Sequence, residues 1–399
     1  MTDMTVINSD HDFGPLHAAM QRYVDLELLP CISTAVLRGR DLIDLHCVGW
    51  ADREAEIPLT ADHMFRMFSN TKLVTSCAAL LLYEEGHFQL DDPIERYIPQ
   101  LANRQVLRPG ATDPEDTEPA SSPITIRHLM THSSGLSYGL LDPGTLIFEL
   151  YTSNKVSNPA TSLSEMVEVL SGLPLTYHPG TGWEYYVAID VVARLIEVIS
   201  GQDFGDFLKA RIFDPLGMVD TDFWVPSEKR DRLVAYYDGA DLMDPMKGGL
   251  TCIDDMPYPN AYQQPIPRQS GGGGLVSTLP DTIALIRGLI PGEGMLLRPE
   301  TLELITTNQL AKGLYIGFPG FVDLPGKGHG LVGAVSLEAL SAEPPGVVGE
   351  YWWGGMAGTQ WWVSPDHDLA GVVMTQRLMS TFHPFANELK KLTYDAVST

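Results

Sequence analysis

Ser69-Asn70-Thr71-Lys72, followed by Leu73-Val74-Thr75-Ser76-Cys77-Ala78-Ala79-Leu80-Leu81-Leu82, is the stretch on which the reading of this chain turns. The apolar run suits a buried helix, and residues three apart on a helix are neighbours, so Lys72 can reach back to the Ser69 hydroxyl. Serine needs a base within hydrogen-bond reach to act as a nucleophile near neutral pH. An ammonium in the first turn of a helix meets the positive end of the dipole, and burial disfavours its charge further. Both effects favour a neutral amine able to accept a proton. The plain alternative is a capping serine and a solvated lysine. A chain of this composition contains such a pair by chance about as often as not, so other residues must decide.

The bulk properties narrow the classes. The chain has 399 residues, enough for a substantial core, and 44% of them are hydrophobic. No apolar run approaches the roughly 18 residues a membrane-spanning helix needs. The start, Met1-Thr2-Asp3-Met4-Thr5, lacks the basic-then-apolar pattern of a signal peptide, so a cytoplasmic protein is expected. A formal charge of −25 argues against nucleic-acid or anionic-membrane partners, which would be repelled. Cys31, Cys47, Cys77 and Cys252 are scattered, with no Cys-x-x-Cys, so neither a disulfide framework nor a zinc site is indicated.

Along the chain, Phe13 to Glu27 reads as a helix with Leu16, Met20, Tyr23 and Val24 on one face. Ile32 to Leu37 and Leu42 to Val48 read as a hairpin around Arg38-Gly39-Arg40-Asp41. Gln360 to Ser364 and Leu369 to Thr375 form a second hairpin around Pro365-Asp366-His367-Asp368, before a closing helix from Phe385 to Ala396. Strand-rich ends and a helix-rich middle predict one α/β unit. Its sheet would come from roughly residues 1–65 and 270–399, with a mainly helical part over roughly 66–269. Arg108 to Pro123 and Pro257 to Gly274 read as exposed loops.

Three motifs have a chemical look but the wrong context. Gly135-Leu136-Ser137-Tyr138-Gly139 matches the Gly-x-Ser-x-Gly elbow, which needs a strand before it and a helix directly after. Here Thr125 to Thr131 reads as a helix, and Leu140 to Gly144 as a loop. His128 and His132 are four apart, but the glutamate of a zinc-protease helix is missing. Gly271 to Gly274 lacks the Gly-Lys-Ser/Thr of a phosphate loop and reads as a place where backbone packs close to backbone.

Further stretches lift Ser69/Lys72 above chance. Phe65 to Lys72 with Glu85-Gly86-His87-Phe88-Gln89-Leu90-Asp91-Asp92-Pro93-Ile94 resembles the active-site helix of class C β-lactamase-like serine hydrolases. Ile124 to Leu136, Pro179 to Val187, Phe213 to Met218 and Gly272 to Thr278 are similar to further segments of that family, in the same order. The resemblance runs from about Leu16 to the C-terminal helix. It implies a β-lactamase/penicillin-binding-protein-like fold: a central antiparallel sheet from both termini, flanked by helices, with an inserted mainly helical part.

The resemblance also implies roles. Ser69 is the nucleophile, Lys72 its partner base and Tyr185 the second proton carrier. The backbone N–H groups of Ser69 and Met356 form the oxyanion hole. Two departures matter. Val187 stands where lactamases carry the asparagine of Tyr-x-Asn, and Trp353-Gly354-Gly355 stands where they carry Lys-Thr-Gly. An anionic amide substrate loses two polar contacts by these changes. Both replacements resemble the esterase branch, the family VIII carboxylesterases and the related fungal statin acyltransferases. In that branch Trp353 lines an apolar pocket, and the two glycines leave room for substrate along the strand. Trp352, Trp361 and Trp362 are candidate walls, although strand tryptophans more often fill cores.

The expected function is a serine carboxylesterase acting on a small-molecule neutral ester through an acyl-enzyme on Ser69, with no metal or organic cofactor. The alternatives are acyl transfer on the same scaffold, β-lactamase or D-amino-acid peptidase activity, an α/β-hydrolase using Ser137, and a binding protein that has lost catalysis.

Overall fold

The computed structural model describes residues 3–398 apart from 8, 138–142, 186, 319–321, 342 and 381–382. The first hairpin is β1 (Cys31–Arg38) and β2 (Asp41–Asp52), extended by β3 (Ile57–Pro58). From the other end of the chain come β4 (Lys327–His329), β5 (Ala334–Ser336), β6 (Tyr351–Gly354), β7 (Gln360–Ser364) and β8 (Leu369–Met374). Among the described residues these make one eight-stranded sheet, in the order β4-β5-β6-β7-β8-β1-β2-β3. Every neighbouring pair is antiparallel. The seam joining the two ends of the chain is β1 against β8, with Ser33 opposite Met374 and Arg38 opposite Leu369.

β1 is buried along its length except for Arg38, because both faces of the sheet are covered. Ile32 and Val36 pack with α1 (Gly14–Asp25) and the C-terminal helix, whereas Cys31, Ala35 and Leu37 belong to the larger core on the other face. That larger core holds α2 (Thr71–Glu84), which is buried at almost every position. It also contains α3 (Ile126–Met130), α4 (Ala188–Ser200) and α5 (Leu279–Gly288). α4 ends on Gly201, whose φ of 68° closes the helix in the left-handed region that glycine tolerates. The closing helix α6 (Phe385–Ser398) lies with α1 over the opposite face.

The segment read as an exposed loop from Arg108 is tied down more than expected. Gln105–Leu107 pairs antiparallel with Thr117–Pro119, and Leu107 N–H donates to the Leu175 carbonyl at 2.9 Å. Among the described residues no helix is long and apolar enough to cross a membrane.

Candidate active site

Ser69 sits in a 3-10 turn, Phe68–Asn70, that leads directly into α2. The turn begins with strain, because Phe68 has a φ of 45°. Such a conformation costs a bulky residue about 1–2 kcal/mol. It persists because the Phe68 ring is held against Tyr236 and Tyr262, with centroids 5.6 and 6.1 Å away. Lys72 Nζ lies 3.2 Å from Ser69 Oγ and donates to the Gly272 carbonyl at 2.6 Å. The lysine is only 3% exposed. Burial pulls its pKa down to about 7, against an opposing pull from the Asp190 carboxylate.

The glycine run makes this contact possible. A Cβ on Gly271 would stand 2.8 Å from Ala193 Cβ and 3.1 Å from the Ile189 carbonyl oxygen, and one on Gly272 3.0 Å from Asp190 Oδ2. The run therefore lies directly against α4, as its reading as a close backbone approach predicts. Asp190 fixes it there, accepting from Ser270 Oγ at 2.7 Å and from Gly272 N–H at 3.2 Å. Asp190 is absent from the sequence reading. Its signal was available: a lone carboxylate in the otherwise apolar run Ala188-Ile189-Asp190-Val191-Val192-Ala193, which is buried throughout.

Tyr185 precedes α4 and meets Lys72 with its ring face, the ammonium nitrogen 4.4 Å from the centroid. The lysine thus acts on the phenol through its π face. Trp353 on β6 donates its indole N–H to Tyr185 Oη at 3.0 Å. Trp353, expected as an apolar wall, makes this polar contact as well. A donor aimed at a phenol oxygen interacts more strongly with the phenolate than with the phenol. Behind Tyr185 stand His132 and His329, with ring centroids 5.2 Å apart and His132 4.8 Å from Tyr185. Burial pushes His132 well below the usual histidine range and His329 down to about 4, and Lys72 adds to both shifts. Neutral imidazoles therefore surround the lysine at neutral pH. His132 follows α3, its backbone N–H donating to the Leu129 carbonyl at 3.3 Å, and His128 serves as a cap residue, its Nδ1 accepting from Thr125 N–H at 3.2 Å.

A cavity of about 1000 Å³ is lined by Ser69, Tyr185, Val187, Trp353, Gly354 and Met356 among others. Gly355 departs from expectation. It does not line the cavity; a Cβ there would lie 2.3 Å from the Met67 carbonyl oxygen and 2.5 Å from Thr359 Oγ1. Its role is to let the end of β6 approach the segment leading into Ser69. Of the candidate tryptophan walls, Trp352 lines the cavity, whereas Trp361 and Trp362 are core residues. The Gly-x-Ser-x-Gly alternative loses its physical basis. Ser137 is completely buried, its backbone N–H donates to Tyr151 Oη, and a helix rather than a strand precedes it. Tyr138, Gly139 and the reading of 140–142 as a loop lie outside the described residues.

A family model described as beta-lactamase matches residues 16–395. The chain belongs to that family. Esterase EstB of Burkholderia gladioli is 31% identical over 353 residues, covering 85% of this chain and 84% of the esterase. A lovastatin esterase of Penicillium rubens is also 31% identical, covering 84% of each chain. Among solved structures, EstCE1, a hydrolase with promiscuous acyltransferase activity, superimposes with a TM-score of 0.81 at 24% identity. It covers 96% of this chain and 98% of its own, a likeness of fold. The β-lactamase-like architecture and the esterase-branch resemblance read from the motifs are thus both met.

Proposed function

We propose that this protein is a serine carboxylesterase that cleaves neutral esters through an acyl-enzyme on Ser69. The observation that carries the reading is Trp353. At the strand position where the lactamase pattern has a lysine to pair with a substrate carboxylate, this chain places an indole that faces the cavity and donates to Tyr185. The two esterases named above, each 31% identical, support the same reading.

In the proposed reaction, Lys72 as a neutral amine takes the Ser69 proton as Oγ attacks the ester carbon, and the Tyr185 hydroxyl relays a proton from it to the departing oxygen. The carbonyl oxygen gains the charge and is held by the N–H groups of Ser69 and Met356. Collapse expels the alcohol, which takes back the proton. Water then attacks the acyl carbon, giving a proton to Lys72, and Ser69 Oγ takes that proton back as the acid departs.

The test is a pair of measurements on the wild-type protein. Turnover of p-nitrophenyl butyrate is compared with that of nitrocefin, and an alkyl p-nitrophenyl phosphonate is used to trap the nucleophile, followed by peptide mapping. Ester turnover exceeding nitrocefin turnover by roughly 100-fold, with one adduct on the peptide carrying Ser69, is expected from the missing cation. Faster nitrocefin turnover, or an adduct elsewhere, would refute the assignment.

Gly355→Ala probes the oxyanion hole. The added methyl must push the end of β6 away from Met67, separating the two proposed donors. A loss of roughly 100-fold in kcat is expected, since one displaced donor costs about that much. Stopped-flow acylation on a folded variant checks it; an unchanged rate would remove Met356 from the hole.

A further inference from the structure

The cavity does not end at the catalytic groups. On β6, Trp353 points toward Tyr185, whereas Trp352 shares the opposite face with its register partner Trp362. Gly354 pairs with Gln360 in that same register, so Gln360 also projects on the α6 side of the sheet. Yet Gln360, with Asn387 and Lys390 of α6, lines the same cavity as Ser69. An arm of the cavity thus passes the end of β6 and reaches the outer face, where Asn387 is exposed.

The chemistry of this arm is specific. Lys390 is buried, forms an ion pair with Glu350 and lies 5.4 and 5.2 Å from the ring centroids of Trp352 and Trp362. Lys327, another lining residue, is paired with Glu343 at 2.6 Å. Both cations are therefore already neutralised. By contrast, the carboxamides of Gln360 and Asn387 make no hydrogen bond to another described residue. Each offers a carbonyl acceptor and an NH2 donor. The same cavity also presents Trp352, Leu378, Met379 and Ala386, together with His383, whose ring nitrogens are engaged by the Pro245 carbonyl and the Phe385 N–H.

We propose that this arm is a subsite for a neutral hydrogen-bonding group, a hydroxyl or an amide, carried at the end of an apolar chain on the ester substrate, with Gln360 and Asn387 as its recognition residues. The proposal rests on the ester-hydrolase reading of Ser69. A carboxylate at that end would meet only cations already paired, on a chain of net charge −25. A plain alkyl end would strip water from two carboxamides and return no hydrogen bond. A hydroxyl or amide satisfies both and leaves the chain against the tryptophan.

The experiment compares kcat/KM for esters matched in size. One series consists of p-nitrophenyl alkanoates of graded length ending in hydroxyl, methyl or carboxylate; a second carries the same three ends on the alcohol side of butyrate esters. In one of the two series the wild type should prefer the hydroxyl end over the methyl end by roughly five- to tenfold at the best length, the worth of one net hydrogen bond. Gln360→Leu and Asn387→Leu should each draw that ratio toward one. Asn387 is exposed on the helix surface, so its variant and the wild-type preference decide the matter even if Gln360→Leu does not fold. No preference in either series, a preference that survives both substitutions, or a preference for the carboxylate end would overturn the proposal. Phosphonate labelling of Ser69 separates the two levels: labelling without the preference rejects only the subsite, and absence of labelling rejects the esterase reading beneath it.

Discussion

Ser69→Ala is expected to lower kcat/KM for p-nitrophenyl butyrate by roughly 10⁴-fold or more, the scale on which removing a nucleophile acts when its partners serve only that group. Lys72 and Tyr185 would remain in place around an absent oxygen. Ser137 cannot substitute, because it is completely buried and its backbone N–H is tied to Tyr151. Ser69 itself is half-buried at the cavity wall, so its loss should leave the fold intact. Melting temperature and far-UV circular dichroism verify that point before activity is read. Residual turnover above about one per cent in a folded, uncontaminated variant would reject the acyl-enzyme route, given the size of the expected loss.

Lys72→Met is the second large effect, with an expected loss of roughly 10³-fold in kcat/KM, within the range for removing a general base. It should also erase a feature of the pH profile. With its pKa near 7, the wild-type lysine is protonated below that pH and cannot accept the Ser69 proton. The wild-type kcat/KM should therefore rise as pH increases through about 7, and the variant should lack that limb. Asp190→Asn removes the carboxylate that holds the value up, so the limb should move to lower pH.

The same burial has a consequence for stability. In the unfolded chain a lysine keeps its proton to about 10.4. Between about pH 7 and that value the unfolded state binds more protons than the folded one, so this group's contribution to stability rises with pH across the window. Methionine removes the penalty at neutral pH but leaves the Gly272 carbonyl without its lysine donor. The variant should melt higher than wild type at pH 7, by a margin that shrinks toward pH 10. A thermal melt at both pH values reads the sign. A variant less stable at pH 7 would show that the lost hydrogen bond outweighs the buried amine.

Much of this site is local in the chain, and that part was legible. Ser69 and Lys72 are three residues apart at a helix start, a relation fixed by helix geometry before any tertiary contact forms. The hairpins at Arg38–Asp41 and Ser364–Leu369 follow from strand-forming runs and turn residues. The stretch from Arg108 to Pro123 is largely the exposed loop expected, and only the short strand Thr117–Pro119 escaped the reading. That strand is three residues long, too short for a periodic signal, and its pairing with Gln105–Leu107 decides it.

The chain by itself thus determined the fold class and supplied the nucleophile, base and tyrosine candidates, because each depends on residue type at short spacing or on an ordered set of local segments. The tertiary structure alone decided what those groups feel. The pKa of Lys72 depends on burial and on Asp190, 118 positions away in sequence. Trp353 could not be known to donate to Tyr185, nor Gly355 to yield its space to Met67, until β6 was laid against the mouth of α2. The arm at Gln360 and Asn387 exists only because two strands in register and a helix from the end of the chain meet there. Electrostatic fields, indole hydrogen bonds and cavity walls are made by atoms distant in sequence, so no local pattern encodes them.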